Sequence, residues 1–142
     1  MPFSVVQVAG TCCNRLKIYA PNFVLLVFQL IWWWVLRMSS FQNIGPDELH
    51  GRLHEVMLID VRGPSETSRG VIKGAKLVPL HLVPLSLDQF KSDRDVVIYC
   101  HSGARSAQAC HFLAGQGVTG LYNLEGGVMY WAGSGLPLVS PE

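Results

Sequence analysis

Val96 to Ser106 reads VVIYCHSGARS. Val96, Val97, Ile98 and Tyr99 are β-branched or aromatic, the composition of a buried strand. From Ser106 onward the run SAQACHFLAGQG carries apolar residues at helical spacing and ends on Gly115 and Gly117, a helix with its stop signal. Cys100 therefore stands where a strand ends and a loop turns into a helix. His101, Ser102, Gly103, Ala104 and Arg105 are small or polar, so the loop can curl and aim several backbone N–H groups into one concavity. Such a nest attracts anions, and the helix dipole behind it adds partial positive charge. A free thiol has a pKa near roughly 8.5, which a helix start and a nearby Arg lower. Cys100 is thus read as a thiolate nucleophile rather than a core cysteine.

The chain has 142 residues, the size of one domain with an appendage. A formal net charge of +1 with 15% charged residues gives no basic face for nucleic acid. The four cysteines, Cys12, Cys13, Cys100 and Cys110, show neither metal-ligand nor secreted-disulfide spacing. That pattern suits a reducing compartment and places the catalytic part in the cytoplasm.

Residues 1–37 differ in kind from the rest and are read as a hydrophobic extension to a domain at 38–142. Residues 18–36 are apolar except for Pro21, Asn22 and Gln29, with Arg15 and Lys17 before them, Arg37 after them and Trp32, Trp33 and Trp34 at one end. A membrane anchor is one reading, since nineteen residues just span a bilayer and tryptophans favour its interface. A second is that translation starts at Met38, where a polar segment leads into the fold. A cleaved signal peptide is the third and least favoured, because no small-x-small site follows the apolar run. Cys12 and Cys13 beside such a segment invite lipidation, but are more simply incidental.

Beyond Met38 the pattern alternates. Phe41 to Ile44, Val56 to Val61, Lys76 to Leu80, Val96 to Tyr99 and Leu121 to Leu124 read as strands. Helical segments are expected from Gly45, near Ser65 to Arg69, over Leu82 to Phe90, from Ser106 and over Val128 to Ala132. Pro46, Asp47 and Glu48 suit a helix start. Strands separated by helix-length segments imply an α/β fold, a parallel sheet with helices on both faces. In such sheets ligands bind outside the carboxyl ends of the strands, so Asp60, Arg62, Cys100 to Arg105 and Glu125 to Gly127 are expected to converge. His50 and His54 lie four apart, but without a third ligand they read as a solvated face, and no metal site is expected.

LIDVR (Leu58 to Arg62), Glu66, GVIKGA (Gly70 to Ala75), Pro79, YCHSGARS (Tyr99 to Ser106) and NLEGGVMYWAGSGLPL (Asn123 to Leu138) together resemble the single-domain rhodaneses. The resemblance covers about Phe41 to Leu138. It implies a three-layer rhodanese-like fold, no cofactor, and sulfur transfer through a persulfide on Cys100. The implied partners are a thiosulfate or persulfide donor and a thiol such as glutathione or thioredoxin, or cyanide, as acceptor. A non-enzymatic sulfur-carrier or regulatory module is the alternative, and a phosphatase or arsenate reductase the remote one. Related phosphatases use C-x5-R, whereas Cys100 to Arg105 is C-x4-R, a loop for a smaller guest.

Two departures stand out. His101 occupies a position where many relatives carry Arg, which weakens the attraction for dianionic thiosulfate because an unperturbed His is mostly neutral at pH 7. Val71 replaces a usual His and is read as surface variation. Arg105 either steadies the donor anion or pairs with a carboxylate. Asp60 and Arg62 are read as supporting scaffold, since buried charges occur paired. Trp131 is expected in the core, Cys110 as an inert buried thiol, and His81 and His111 as structural or solvated.

Overall fold

The computed structural model of the chain describes residues 26–33 and 40–141. Residues 26–33 are helical and exposed throughout. Among the described residues no helix is long and apolar enough to cross a membrane. The rest of the expected span, Cys12, Cys13 and the alternative start Met38 lie outside the described residues. The sheet described next belongs to the second of two units, Met38–Glu142, the first being Met1–Arg37.

Five strands form one sheet in the order β1-β5-β4-β2-β3. They are β1 (Gln42–Ile44), β2 (Met57–Asp60), β3 (Lys76–Leu77), β4 (Val96–Tyr99) and β5 (Leu121–Leu124). Every pairing is parallel, so each connection must cross a face. Those crossovers supply α1 (Pro46–Arg52), α2 (Pro64–Thr67), two 3-10 turns and α3 (Ala104–Gly115), while α4 (Gly127–Gly133) follows β5. The expected α/β architecture with both faces covered is thus present.

The period-2 alternation of β4 divides the core. Val96 and Ile98 pack with Ile59, Val61, Phe90, Ala109 and Leu113 on the α3 face. Val97 and Tyr99 pack with Ile44, Leu49, Leu58, Leu124 and Trp131 on the face of α1 and α4. All four β4 side chains are fully buried, and each apolar one contributes roughly 1.5–3 kcal/mol relative to exposure. Cys100, the next residue, is therefore delivered to a fixed point at the carboxyl edge of the central strand.

Two expectations are corrected. The strand over Lys76 to Leu80 is regular only at Lys76–Leu77, because Pro79 has no N–H to offer the ladder. The Val78 and Leu80 N–H groups still donate to Asp60 O and Val61 O at 2.9 and 3.1 Å. The helix over Leu82 to Phe90 is instead a pair of 3-10 turns, Leu80–Leu85 and Leu87–Phe90. Pro84 lies inside the first and cannot continue an α-helical ladder.

Candidate active site

The loop after Cys100 is held from two sides. Gly103, at φ 94°, is the residue before α3, a left-handed conformation that side chains disfavour. Its N–H turns back to donate to Cys100 Sγ at 3.1 Å. From the other side, the start of α4 docks on the loop: Val128 N–H donates to Cys100 O at 2.9 Å and Met129 N–H to His101 O at 3.1 Å. Gly127 makes this approach feasible, since a Cβ there would stand 2.5 Å from Cys100 O and 2.6 Å from His101 O.

Cys100 is 1% exposed, so only a guest that enters the loop reaches its sulfur. Burial opposes ionisation, but the hydroxyl and amide of Ser106 and the amides of Gly103 and Ser102 outweigh it, and the pKa falls below that of an ordinary thiol. Cys110 differs: burial alone pushes its thiol up to about 12, and its Sγ faces Tyr122 O at 3.7 Å.

Four of the fixed charges near the loop, Asp60, Arg62, Glu66 and Arg105, pair with one another. Asp60 and Arg62 are both nearly fully buried and share hydrogen bonds of 2.6 to 3.0 Å, with Arg62 also donating to Gly70 O at 2.9 Å. Arg105 meets Glu66 through two bonds of 2.7 Å, the carboxylate-partner arrangement of the two considered. That pairing holds the Glu66 carboxyl down to about 2. Arg69 is exposed and has no ion pair among the described residues.

Beside the loop lies a cavity of about 350 Å³, lined by His101, Arg62, Glu66, Arg69, Met129 and Leu138 among others. His101 and Ser102 are exposed, Gly103 is buried, and Ala104 is exposed. Of the third expected segment, Gly126 and Gly127 reach the loop, while Glu125 is exposed and its N–H donates to Ile44 O at 3.0 Å. Val71 is a correction: it is buried and exchanges two 2.8 Å backbone bonds with Val139, so it is no surface position. Trp131 is buried with its indole N–H on Pro137 O at 3.1 Å.

Three residues were not assigned roles by the sequence. Ser106 has its hydroxyl 3.5 Å from Cys100 Sγ and 2.6 Å from Asn123 Oδ1. Asn123 in turn donates to Asn43 Oδ1 at 3.1 Å. Partners 17 and 80 positions apart leave no local signal. Among the described residues no group of three His, Cys, Asp or Glu side chains is disposed to hold a metal. His54 lies 3.5 Å from Glu55, His50 stands 5.9 Å from the Trp131 ring, His111 packs edge-on against Phe41, and His81 is exposed.

A cysteine at the end of a central parallel strand, cradled by loop amides at the start of a helix, defines a class of α/β domain built around a strand-end cysteine loop. The rhodanese-like domain model matches residues 45–134, and the chain belongs to that family. It is 50% identical over 103 residues to a protein of Allochromatium vinosum named sulfurtransferase, covering 70% of this chain and 96% of that one. It is 28% identical over 95 residues to the thiosulfate sulfurtransferase GlpE of Stutzerimonas stutzeri, covering 66% and 87%. The crystal structure of a rhodanese-like domain protein from Staphylococcus aureus superimposes with a TM-score of 0.62 at 36% identity, covering 70% of this chain and all of that one.

Proposed function

We propose that the chain is a rhodanese-type sulfurtransferase with Cys100 as the sulfur carrier. The Cys100 thiolate attacks the outer sulfur of a donor, forming a new S–S bond while the donor's own bond to that sulfur breaks. The leaving group, sulfite from thiosulfate or a thiolate from an organic persulfide, takes the bonding pair. A thiol acceptor such as glutathione or thioredoxin, or cyanide, then attacks the terminal sulfur and frees the Cys100 thiolate. Covalent carriage implies ping-pong kinetics. The observation that carries the reading is the Gly103 N–H on Cys100 Sγ at 3.1 Å. It marks a nest whose amides suit an anionic donor and the charged terminal sulfur of the persulfide. The names of the relatives agree with sulfur transfer.

The donor we favour is an organic persulfide rather than thiosulfate. Arg62 and Arg105 are neutralised by Asp60 and Glu66, and His101 stands where a fixed cation would be, so the one unpaired fixed cation among the described residues lining the adjacent cavity is the exposed Arg69. Val128, Met129, Ala132 and Leu138 line the adjacent cavity, a wall that suits an organic group. A phosphatase is disfavoured by the same accounting, since the Arg105 guanidinium is engaged by Glu66 in two 2.7 Å bonds.

Intact-mass measurement after exposure to thiosulfate or glutathione persulfide tests the proposal, with Cys100→Ser as control. Wild type is expected to gain the mass of one sulfur atom, removable by cyanide. No gain from either donor would leave a non-enzymatic binding or regulatory module as the surviving reading. His101→Arg is expected to raise kcat/KM for thiosulfate several-fold, and a loss or no change would reject the donor preference.

A further inference from the structure

Ser106 is fully buried, and its hydroxyl faces three acceptors: Asn123 Oδ1 at 2.6 Å, Gly103 O at 3.1 Å and Cys100 Sγ at 3.5 Å. A hydroxyl has one proton to donate. While it serves Asn123, the sulfur is left to the backbone amides. Asn123 on β5 is buried and passes the line on, donating Nδ2 to Asn43 Oδ1 at 3.1 Å. Asn43 is exposed on the edge strand β1. The buried sulfur is thereby joined to the surface through two carboxamides and a hydroxyl.

The line can run in either direction. The oxygen and nitrogen of a carboxamide are nearly equal in size, so turning both groups end for end keeps every heavy-atom position. Asn43 Nδ2 then donates to Asn123 Oδ1, Asn123 Nδ2 donates to Ser106 Oγ, and the Ser106 hydroxyl is released to donate to Cys100 Sγ. The first direction makes two bonds along the line; the second makes three, the last to the sulfur. A bond to a charged acceptor is roughly twice as strong as a neutral one, so a thiolate favours the second direction and a neutral thiol does not.

We propose that Asn43, Asn123 and Ser106 form a reversible hydrogen-bond relay whose direction follows the charge on Cys100 and stabilises its thiolate. Asn43 and Asn123 are positioning residues that act through Ser106. The relay points toward the sulfur in the resting thiolate and away from it once the charge has moved to the terminal sulfur of a persulfide. Its use in turnover rests on the sulfurtransferase reading, whereas its effect on thiol ionisation does not. The ionisable groups on the elements around the loop are the Asp60–Arg62 and Glu66–Arg105 pairs, His101, Tyr99, Cys110 and His111 on α3, Tyr122 on β5, Glu125, Tyr130 on α4, and Arg69 across the cavity; all are unchanged in the variants below.

Asn43→Asp tests the relay, because a carboxylate only accepts. It holds Asn123 Nδ2 and so pins the Ser106 proton on Asn123 Oδ1. The readout is the pH dependence of Cys100 alkylation by iodoacetamide in the full chain carrying Cys12→Ser and Cys13→Ser, followed by intact mass, which needs no sulfur donor. Asn43→Asp is expected to raise the Cys100 pKa by about one unit, a roughly tenfold slower reaction below it, while Asn43→Ala leaves it unraised. In a Ser106→Ala background Asn43→Asp is expected to shift nothing. No shift in the Ser106 protein, or an equal shift in both backgrounds, would overturn the relay, the latter because the carboxylate would then act through its field alone. Should Ser106→Ala not fold, the comparison is with Gln42→Asp, which places a carboxylate at the adjacent exposed position of β1, outside the line. A shift confined to Asn43→Asp supports the relay, and an equal shift from both variants rejects it. If wild type takes up no sulfur while the shift appears, the sulfurtransferase reading fails and the relay stands.

Discussion

Gly127→Ala should disrupt the molecule at the point where α4 meets the cysteine loop. Gly127 sits at φ 58°, where a side chain costs roughly 1–2 kcal/mol relative to glycine. Space is the larger problem. The new methyl would stand 2.5 Å from Cys100 O and 2.6 Å from His101 O, against a practical minimum of 3.0 Å, so α4 or the loop must retreat by about 0.5 Å or more. Both neighbours are backbone atoms and cannot swing aside as a side chain could. The retreat strains the Val128 N–H bond to Cys100 O, 2.9 Å, and the Met129 N–H bond to His101 O, 3.1 Å, each worth about 1 kcal/mol net. The sum is about 3–4 kcal/mol, against a total stability of roughly 5–15 kcal/mol. In urea the midpoint should fall by about 1–4 M, and Cys100 alkylation at neutral pH should change with it because the loop amides move. Gly133→Ala is the control: nothing lies within 4 Å of its added Cβ and its φ is not positive. It should leave the midpoint unchanged or slightly raised. A Gly127→Ala protein with a wild-type midpoint and wild-type alkylation would refute the reasoning.

Glu66→Gln should cost about 1 kcal/mol at pH 7; the fall of the Glu66 pKa from 4.5 to about 2 implies more, but side chains 35% and 39% exposed are screened by solvent. Because the folded pKa is depressed, that contribution is fully present above about pH 4.5 and is lost as pH falls toward 2, so wild-type and Glu66→Gln stabilities should converge by pH 2; a gap unchanged from pH 7 to 2 would refute the pairing. Asp60→Asn removes one partner of a pair buried to 1% and 4% side-chain exposure, and should destabilise by about 3–5 kcal/mol, measured in urea. A loss under 1 kcal/mol would mean that Arg62 finds a substitute beyond Gly70 O. In a protein with Cys12→Ser and Cys13→Ser, iodoacetamide at pH 7.5 should add one group per chain, at Cys100, because the surroundings of Cys110 keep its thiol neutral. Equal labelling of the two would contradict that environment.

Much of this fold is legible because its signals are local. Val96 to Tyr99 is apolar over four residues and followed by a helix-length pattern, so β4, the loop and α3 can be placed without knowing their neighbours. Asp60 and Arg62 are two residues apart and their pairing follows from the cost of burying either alone. What the sequence conceals is set by distant neighbours. The Glu66 to Arg105 bonds join positions 39 apart, and the line from Asn43 to Ser106 crosses two strands before reaching the sulfur. Val71 looks like a surface residue because the segment around it is turn-rich, yet it is buried and bridged to Val139, 68 positions on. The 3-10 turns before β4 are concealed for another reason. A short apolar run around Pro84 satisfies helical spacing yet lacks the N–H that an α-helix would need there.

The count from Cys100 to Arg105 is informative, though its meaning changes once the arginine's partner is known. Read as sequence, C-x4-R suggests a guanidinium closing a small ring around the guest. In the fold that guanidinium faces Glu66 on α2, and both Asp60 and Arg62 are likewise committed. A donor entering the loop therefore meets no fixed cation that is not already neutralised there, apart from what Arg69 offers across the cavity. What faces the sulfur is backbone: α3 begins at Gly103 without a side-chain cap, so amides at its start are not claimed by a capping side chain. The count then sets how tightly the backbone curls, and Arg105 fixes the loop to α2. An anion site built this way depends weakly on the identity of exposed charges and strongly on the two glycines that allow the curl and the docking of α4. That is why Gly127 and Gly103, rather than Arg105, are the positions at which a single added methyl should cost the site its geometry.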